Sequence, residues 1–278
     1  MGKFSNSWAL MKASWGILKK DKEMLLFPII SGITLLILFA SFIAPLYMFD
    51  SYNGANKFLS KNEDVVNFLL IFIFYYITYF VMIFFNAALI ACAKIRIDGG
   101  DPTVRAGLKI AFSHLFHIAG WAFISSSVGM LLRIIEERFE FVGKIVSSVL
   151  GIAWSITSFL VIPILVIEKK APSTAFKESA KLLKKTWGEQ VIGNFSFGLV
   201  FLALSLPAWL LISVVIATGQ GMVSVALITV AVTYIILLII IQTALQAIFQ
   251  TVLYQYARFN RVSGGFNNEL LRSSIITK

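Results

Sequence analysis

The sequence predicts an all-α polytopic membrane protein: six transmembrane helices in three hairpins, each hairpin preceded by an amphipathic helix on the cytoplasmic surface. Three observations carry that prediction. Of the 278 residues, 58% are hydrophobic and only 14% charged, with a mean hydropathy of +0.85, whereas a soluble domain has roughly a quarter of its residues charged. The apolar residues fall into continuous runs of the length a bilayer requires, about 20 residues per spanning helix. They do not alternate in segments of about ten, as in a transmembrane β-barrel. Finally, of the 24 Lys and Arg, all but Lys57, Lys61, Arg133, Arg138 and Lys144 fall in 1–23, 94–117, 168–190 and 258–278. The positive-inside bias then places those four segments, and both termini, in the cytoplasm.

Each element follows from its own residues. In 1–23, Phe4, Trp8, Met11, Trp15 and Leu18 recur at helical spacing, with Lys12, Lys19 and Lys20 nearby, as suits a membrane interface. The first span covers about 24–48, with Pro28 and Pro45 near its ends, where a missing donor is tolerated. The second, about 66–93, carries Tyr75, Tyr76, Tyr79 and Asn86, and the Asn86 amide requires a partner. A turn at Gly99-Gly100-Asp101-Pro102 leads to a weaker amphipathic segment with Val104, Leu108, Ala111 and Leu115. The third span, about 118–135, ends in the charge-balanced run Arg133 to Arg138. The fourth, about 144–167, shows small residues every four positions at Gly143, Ser147, Gly151 and Ser155, a face suited to close helix packing.

The stretch Pro163 to Trp187 leaves the membrane through Glu168-Lys169-Lys170 and continues as a basic helix starting near Pro172. Its apolar stripe is Phe176, Ala180, Leu183 and Trp187. Lys177, Lys181, Lys184 and Lys185 stand off that stripe. The fifth span, about 191–217, holds Asn194 and a kink site at Pro207. The sixth run, Met222 to Ala257, carries no charge. At about 1.5 Å per residue it is far longer than a hydrocarbon core of roughly 30 Å, so it tilts, bends or projects. The remainder, 258–278, is a polar cytoplasmic tail.

Ser14 to Lys20 aligns without gaps with Ser179 to Lys185, and Asp101-Pro102-Thr103 matches Ala171-Pro172-Ser173. A single membrane domain, 1–257, built from repeat units of about 1–93, 102–167 and 172–257 accounts for the match. Three parallel units differ from the inverted repeats of many secondary transporters.

Asn86 to Lys94, Asp98 to Lys109 and Ile118 to Trp121 resemble an uncharacterised family of multi-pass prokaryotic membrane proteins. Val161 to Glu168, with Ala175, Ser179 and Trp187, is similar to the membrane domain attached to some glycerophosphoryl diester phosphodiesterases. The resemblance covers roughly 1–260. It implies fold alone, because a catalytic barrel of about 250 residues has no counterpart here and no catalytic residue carries over.

The chemistry-bearing residues are few. Gln242, Gln246, Gln250 and Tyr254 recur every four residues along the sixth run. Three amides on one face are costly against lipid, so they face a neighbouring helix, a partner or a cleft, with Glu168 at the mouth of the fourth span as a further member of that ligand or partner face. His114 and His117 form an i, i+3 pair without the additional ligands a metal site needs. The single Cys92 permits no internal disulfide, and the N-terminal segment does not read as a cleavable signal. No nucleophile–base set, phosphate-cradling loop or mid-membrane ionisable residue of the kind coupled transporters use is present.

The expectation is therefore a non-catalytic scaffold or assembly partner of the cytoplasmic membrane, without metal or cofactor. Lys12, Lys19, Lys20, Lys177, Lys181, Lys184 and Lys185 contact anionic lipid headgroups, at about 1 kcal/mol per cation near the surface. A homo-oligomer or another membrane protein is the expected partner, and the net charge of +10 reflects topology rather than nucleic-acid binding. The alternative is a transporter, channel or lipid-handling protein using the glutamine face.

Overall fold

A computed structural model describes residues 3–50, 64–187, 196–218 and 221–259, and among them the secondary structure is helical, with no strand. The helices are α1 (Lys3–Lys20), α2 (Leu26–Asp50), α3 (Asp64–Ile97), α4 (Val104–Ser113), α5 (Leu115–Arg138), α6 (Glu140–Ser158), α7 (Val161–Glu168), α8 (Pro172–Trp187), α9 (Ser196–Thr218) and α10 (Met222–Phe259). A 3₁₀ turn, Lys22–Leu25, joins α1 to α2.

Among the described residues, five helical segments are long and apolar enough to cross a membrane: Lys22–Phe42, Phe68–Ile97, Leu115–Arg138, Val142–Glu168 and Val223–Phe259. The sixth expected span falls on α9, whose apolar stretch Val200–Ile216 is shorter. Asn194, the loop at 51–63, Gly219-Gln220 and the tail beyond Phe259 lie outside the described residues.

The chain forms two interleaved compact units. The first comprises Met1–Pro28, Cys92–Thr103 and Leu182–Lys278; the second comprises Ile29–Ala91 and Val104–Lys181. In the first, α9 and α10 pack as a pair and α1 lies against both. Ile17, Leu18, Met24 and Phe27 are buried there. In the second, α5 packs along α6. Trp121, Trp154 and Phe176 form a stack, with Trp154 5.5 Å from Trp121 and 5.1 Å from Phe176.

Burial along several spans is one-ended. In α3, Ile83 to Ala93 contains most of the buried positions, whereas Phe68 to Ile71 and Ile73 are exposed. In α6 and α7, Val142, Ile145, Val149 and Ile152 are exposed, and apart from Gly143 and Ser147 the buried positions lie within Leu160 to Val166. In α10, Val223, Val225, Val230 and Leu237 are exposed, while Ala244 to Gln255 is buried at all positions but Gln246. The buried end is in each case the one next to a Lys/Arg-bearing segment. Large exposed apolar side chains along the remainder of a helix are what lipid accepts and water does not.

The fourth expected span is two helices rather than one, and Pro163 supplies the reason. Proline offers no N–H to the carbonyl four residues back, at Phe159, and its ring crowds that carbonyl. The helix therefore opens at Phe159–Leu160 between α6 and α7. The freed Leu160 N–H donates to Ser179 Oγ at 3.1 Å, and the same hydroxyl donates to Thr157 O at 2.6 Å. Ser179 is fully buried by this double duty. Pro207, by contrast, lies inside an uninterrupted α9.

The small-residue face of α6 packs where expected at its start. Gly143 and Ser147 are buried, and a Cβ built on Gly143 would lie 2.4 Å from the Ile135 carbonyl oxygen, so only glycine fits. Ser155 is exposed. Among the described residues, the Asn86 Oδ1 is buried without a hydrogen-bond partner.

Candidate functional site

The surface helices bury stripes shifted from those the sequence predicts. In α1, Met11, Ser14, Ile17 and Leu18 are buried and Trp15 is exposed; the side chains of Phe4 and Trp8 lie outside the described residues. In α8, Ala175, Ser179, Leu182 and Leu183 are buried, while Phe176 and Ala180 are half-buried. Lys12, Lys19, Lys20, Lys177 and Lys181 are all exposed, with Lys19 Nζ 5.8 Å from the centre of the Trp15 ring. The side chains of Lys184, Lys185 and Trp187 are outside the described residues.

The glutamine series does not share one environment. Gln242 is half-buried and Gln246 exposed, whereas Gln250 and Tyr254 are buried. Their neighbour Gln255, which the sequence pattern does not single out, is also buried, and its Nε2 has no hydrogen-bond partner among the described residues. Gln250 and Tyr254 belong to the first unit and Glu168 to the second. Glu168 closes onto the loop that follows it. Lys170 Nζ lies 2.6 Å from Glu168 and 2.5 Å from Glu178. Hydrogen bonds to Glu168, and then Glu178, hold the Lys170 ammonium above the ordinary lysine range. Glu168 is thus committed to an ion pair rather than presented as a lone proton site.

His114 and His117 have ring centres 6.3 Å apart. Among the described residues no three His, Cys, Asp or Glu side chains are placed to hold a metal ion. Burial, aided by His117 and Lys169, pushes the His114 imidazole below the ordinary histidine value.

Two charged clusters escape sequence reasoning. In the first unit, Asp21 ends α1 and starts the 3₁₀ turn, donating its N–H to Leu18 O and accepting from Met24 N–H, both at 3.1 Å. Its carboxylate is 6% exposed and receives a bidentate pair from Arg96 Nε and Nη2. Arg96 also reaches Asp101 at 2.6 Å, tying the end of α3 to the turn before α4. That turn is tight: Gly99 takes φ +90°, and a Cβ on Gly100 would lie 2.8 Å from Ile95 Cγ2.

The second cluster lines a cleft of about 900 Å³ in the second unit, walled by α3, α5 and α6. Arg133 Nε donates to Glu137 at 2.7 Å, and Nη1 donates to Tyr75 Oη at 3.3 Å. Glu136 and Lys144 also line the cleft. Neither makes an ion pair among the described residues. Ser147 and Ser148 complete the lining, their hydroxyls donating to Lys144 O at 3.2 and 2.7 Å.

Long apolar helices whose exposed flanks carry large aliphatic side chains define an α-helical membrane protein. Within that class, the chain belongs to a family of unknown function, DUF6159, which it matches over residues 65–265. No curated protein and no solved structure matches the chain, so the similarity to glycerophosphoryl diester phosphodiesterase membrane domains has no support from them.

Proposed function

We propose that this protein is a non-catalytic scaffold or assembly partner of the cytoplasmic membrane, crossing it six times with both termini inside. The observation that carries this reading is the distribution of polarity along α10. At about 1.5 Å per residue, Gln242 lies roughly 30 Å along the helix from Met222, about one hydrocarbon thickness. Of the residues that follow, Ala244 to Gln255 are packed into protein apart from Gln246. The glutamines thus begin where the hydrocarbon would end. They need no aqueous path through the bilayer, which favours assembly over transport. Anionic lipid would meet the exposed lysines of α1 and α8.

The threefold repeat draws support from conformation. Gly99 and Lys169 are both left-handed, at φ 90° and 57°, and each stands three residues before the proline that precedes or opens the next helix, Pro102 and Pro172. The aligned pairs Ser14/Ser179, Ile17/Leu182 and Leu18/Leu183 are all buried.

Extraction of native membranes in mild detergent should recover a stoichiometric protein partner or a homo-oligomer. A strictly monomeric, solitary protein would overturn the scaffold reading. Orientation is read separately, by labelling cysteines introduced at Lys12 and Glu137 in a Cys92→Ala background with a membrane-impermeant maleimide. Only the second should react in intact cells.

A further inference from the structure

The cleft among Tyr75, Arg133 and Lys144 is assigned by nothing in the proposed scaffold role, and its charges specify a ligand. We propose that it binds a zwitterionic group carrying a phosphate and a primary ammonium, the chemistry of an aminophospholipid headgroup. The proposal rests on the membrane-crossing part of the reading above, not on the scaffold role.

Charge decides the ligand class. Arg133 and Lys144 supply two cations, and Glu136 and Glu137 supply two carboxylates, around one space of about 900 Å³. A simple anion would meet both carboxylates, and a simple cation would meet both basic groups. A molecule holding both signs a few ångströms apart satisfies all four. Arg133 is pre-oriented, with Nε fixed on Glu137 and Nη1 on Tyr75 Oη, leaving further guanidinium N–H groups to donate to phosphate. Lys144 adds a mobile point charge for the same phosphate. Glu136, lined into the cleft with no ion pair among the described residues, is the acceptor for an ammonium.

Depth decides where such a ligand would come from. Along α3, Tyr75 lies roughly 33 Å from Ile97, and along α5, Arg133 lies roughly 27 Å from Leu115. Both distances approximate one hydrocarbon thickness from the helix ends next to the basic segments. The cleft therefore falls at the headgroup level of the opposite leaflet. Leu131, Phe139, Val142 and Val149, each within two residues of a lining residue and more than half exposed, supply apolar surface that would serve as a rim for acyl chains. Free phosphoethanolamine has the same charged groups but no use for that rim.

The test counts lipids on the full-length protein by native mass spectrometry after release from bilayers of equal phosphatidylethanolamine, phosphatidylcholine and phosphatidylglycerol. Phosphatidylethanolamine should be retained about tenfold over the other two, the ratio expected from one charged hydrogen bond. Phosphatidylcholine has no ammonium N–H to donate, and phosphatidylglycerol has no ammonium at all. Glu136→Gln should abolish that preference, and Lys144→Gln should lower the retention of all three lipids, which share the phosphate. Both side chains are exposed, so the helical content seen by circular dichroism should not change. A second arm titrates soluble phosphoethanolamine. Its binding at the same residues without any lipid preference would support the chemistry and assign it a soluble source. Equal retention of phosphatidylglycerol and phosphatidylethanolamine with no phosphoethanolamine binding, or a preference untouched by Glu136→Gln, overturns the proposal. Recovery of the variants in the membrane fraction keeps a failure here distinct from a failure of the membrane-crossing reading.

Discussion

Arg96 and Arg133 are both at the far ends of long apolar helices, and they solve the problem of a guanidinium there in opposite ways. Arg96 is closed. It is 23% exposed, grips both oxygens of the nearly buried Asp21, and has Asp101 as a second carboxylate. Arg133 is open. It is 52% exposed, uses one nitrogen on Glu137 and another on a phenol, and faces a cleft whose Glu136 and Lys144 make no ion pair among the described residues. The contrast separates structural charge from charge available to a ligand. A saturated, bidentate, desolvated pair holds elements together, because breaking it strands a buried ion. An exposed, partly used pair contributes little to stability and can exchange partners.

The strongest way to break this comparison is Asp21→Ala. It strands Arg96 with only the exposed Asp101, while the backbone hydrogen bonds of Asp21 remain possible. The expected loss is about 3 kcal/mol, read as a lower melting temperature in detergent. An unchanged melting temperature would put Arg96 in the same class as Arg133.

Ser179→Ala should come next. The hydroxyl serves two backbone groups at the break between α6 and α7, and the alanine leaves the Leu160 N–H buried and unmet. About 1–3 kcal/mol should be lost. Ser179→Thr, which restores a hydroxyl, should recover part of it if the β-methyl is accommodated. Equal stability of the alanine and serine proteins would mean that the break does not depend on the serine.

The pH dependence of the second unit should be weaker. The His114 imidazole titrates below its ordinary value because of burial, His117 and Lys169. The unfolded chain, with a histidine pKa of about 6.5, therefore binds the proton more readily than the folded one. Stability from this group is complete above about pH 6.5, declines as pH falls through that value, and levels off below the lowered folded value. Melting curves between pH 8 and pH 5 should show that decline, and His114→Gln should flatten it. A curve identical in the variant would assign the acid sensitivity elsewhere.

The sequence was most informative where the signal is local. Continuous apolar runs and flanking lysines are written into consecutive residues, and α3, α5 and α10 follow them closely. It was misleading where a distant group intervenes. Pro163 alone reads as a residue inside one span, because the acceptor for its consequence, Ser179, comes from the next helix. The same serine explains why the buried stripe of α8 runs through Ala175, Ser179 and Leu182 rather than through Phe176 and Ala180 alone: a small polar residue is drawn inward by freed backbone. The charged clusters were the least legible. Asp21 and Arg96 are 75 residues apart, and Tyr75 and Arg133 are 58 apart. No periodicity in a single sequence joins such pairs. The glutamine series shows the reverse error: its spacing is local and plain, yet its members fall into exposed, half-buried and buried settings, because helical period reports a face and not what covers it.

Glu137→Gln is the smallest expected effect and the one that sharpens the contrast most. Its carboxylate is 61% exposed and bonded to a guanidinium that is itself half in solvent, so the pair is worth roughly 0–0.5 kcal/mol, the range of an exposed i, i+4 helix pair. The melting temperature should hardly move, and less still in high salt. What should change is the cleft. With Glu137 neutral, Arg133 loses the charge that fixes its Nε, and the lining passes from balanced to net positive. Lipid retention should then shift from phosphatidylethanolamine toward phosphatidylglycerol, at unchanged stability. A melting temperature that fell as far as in Asp21→Ala would make Arg133 a second structural clasp and dissolve the distinction between a closed arginine and an open one.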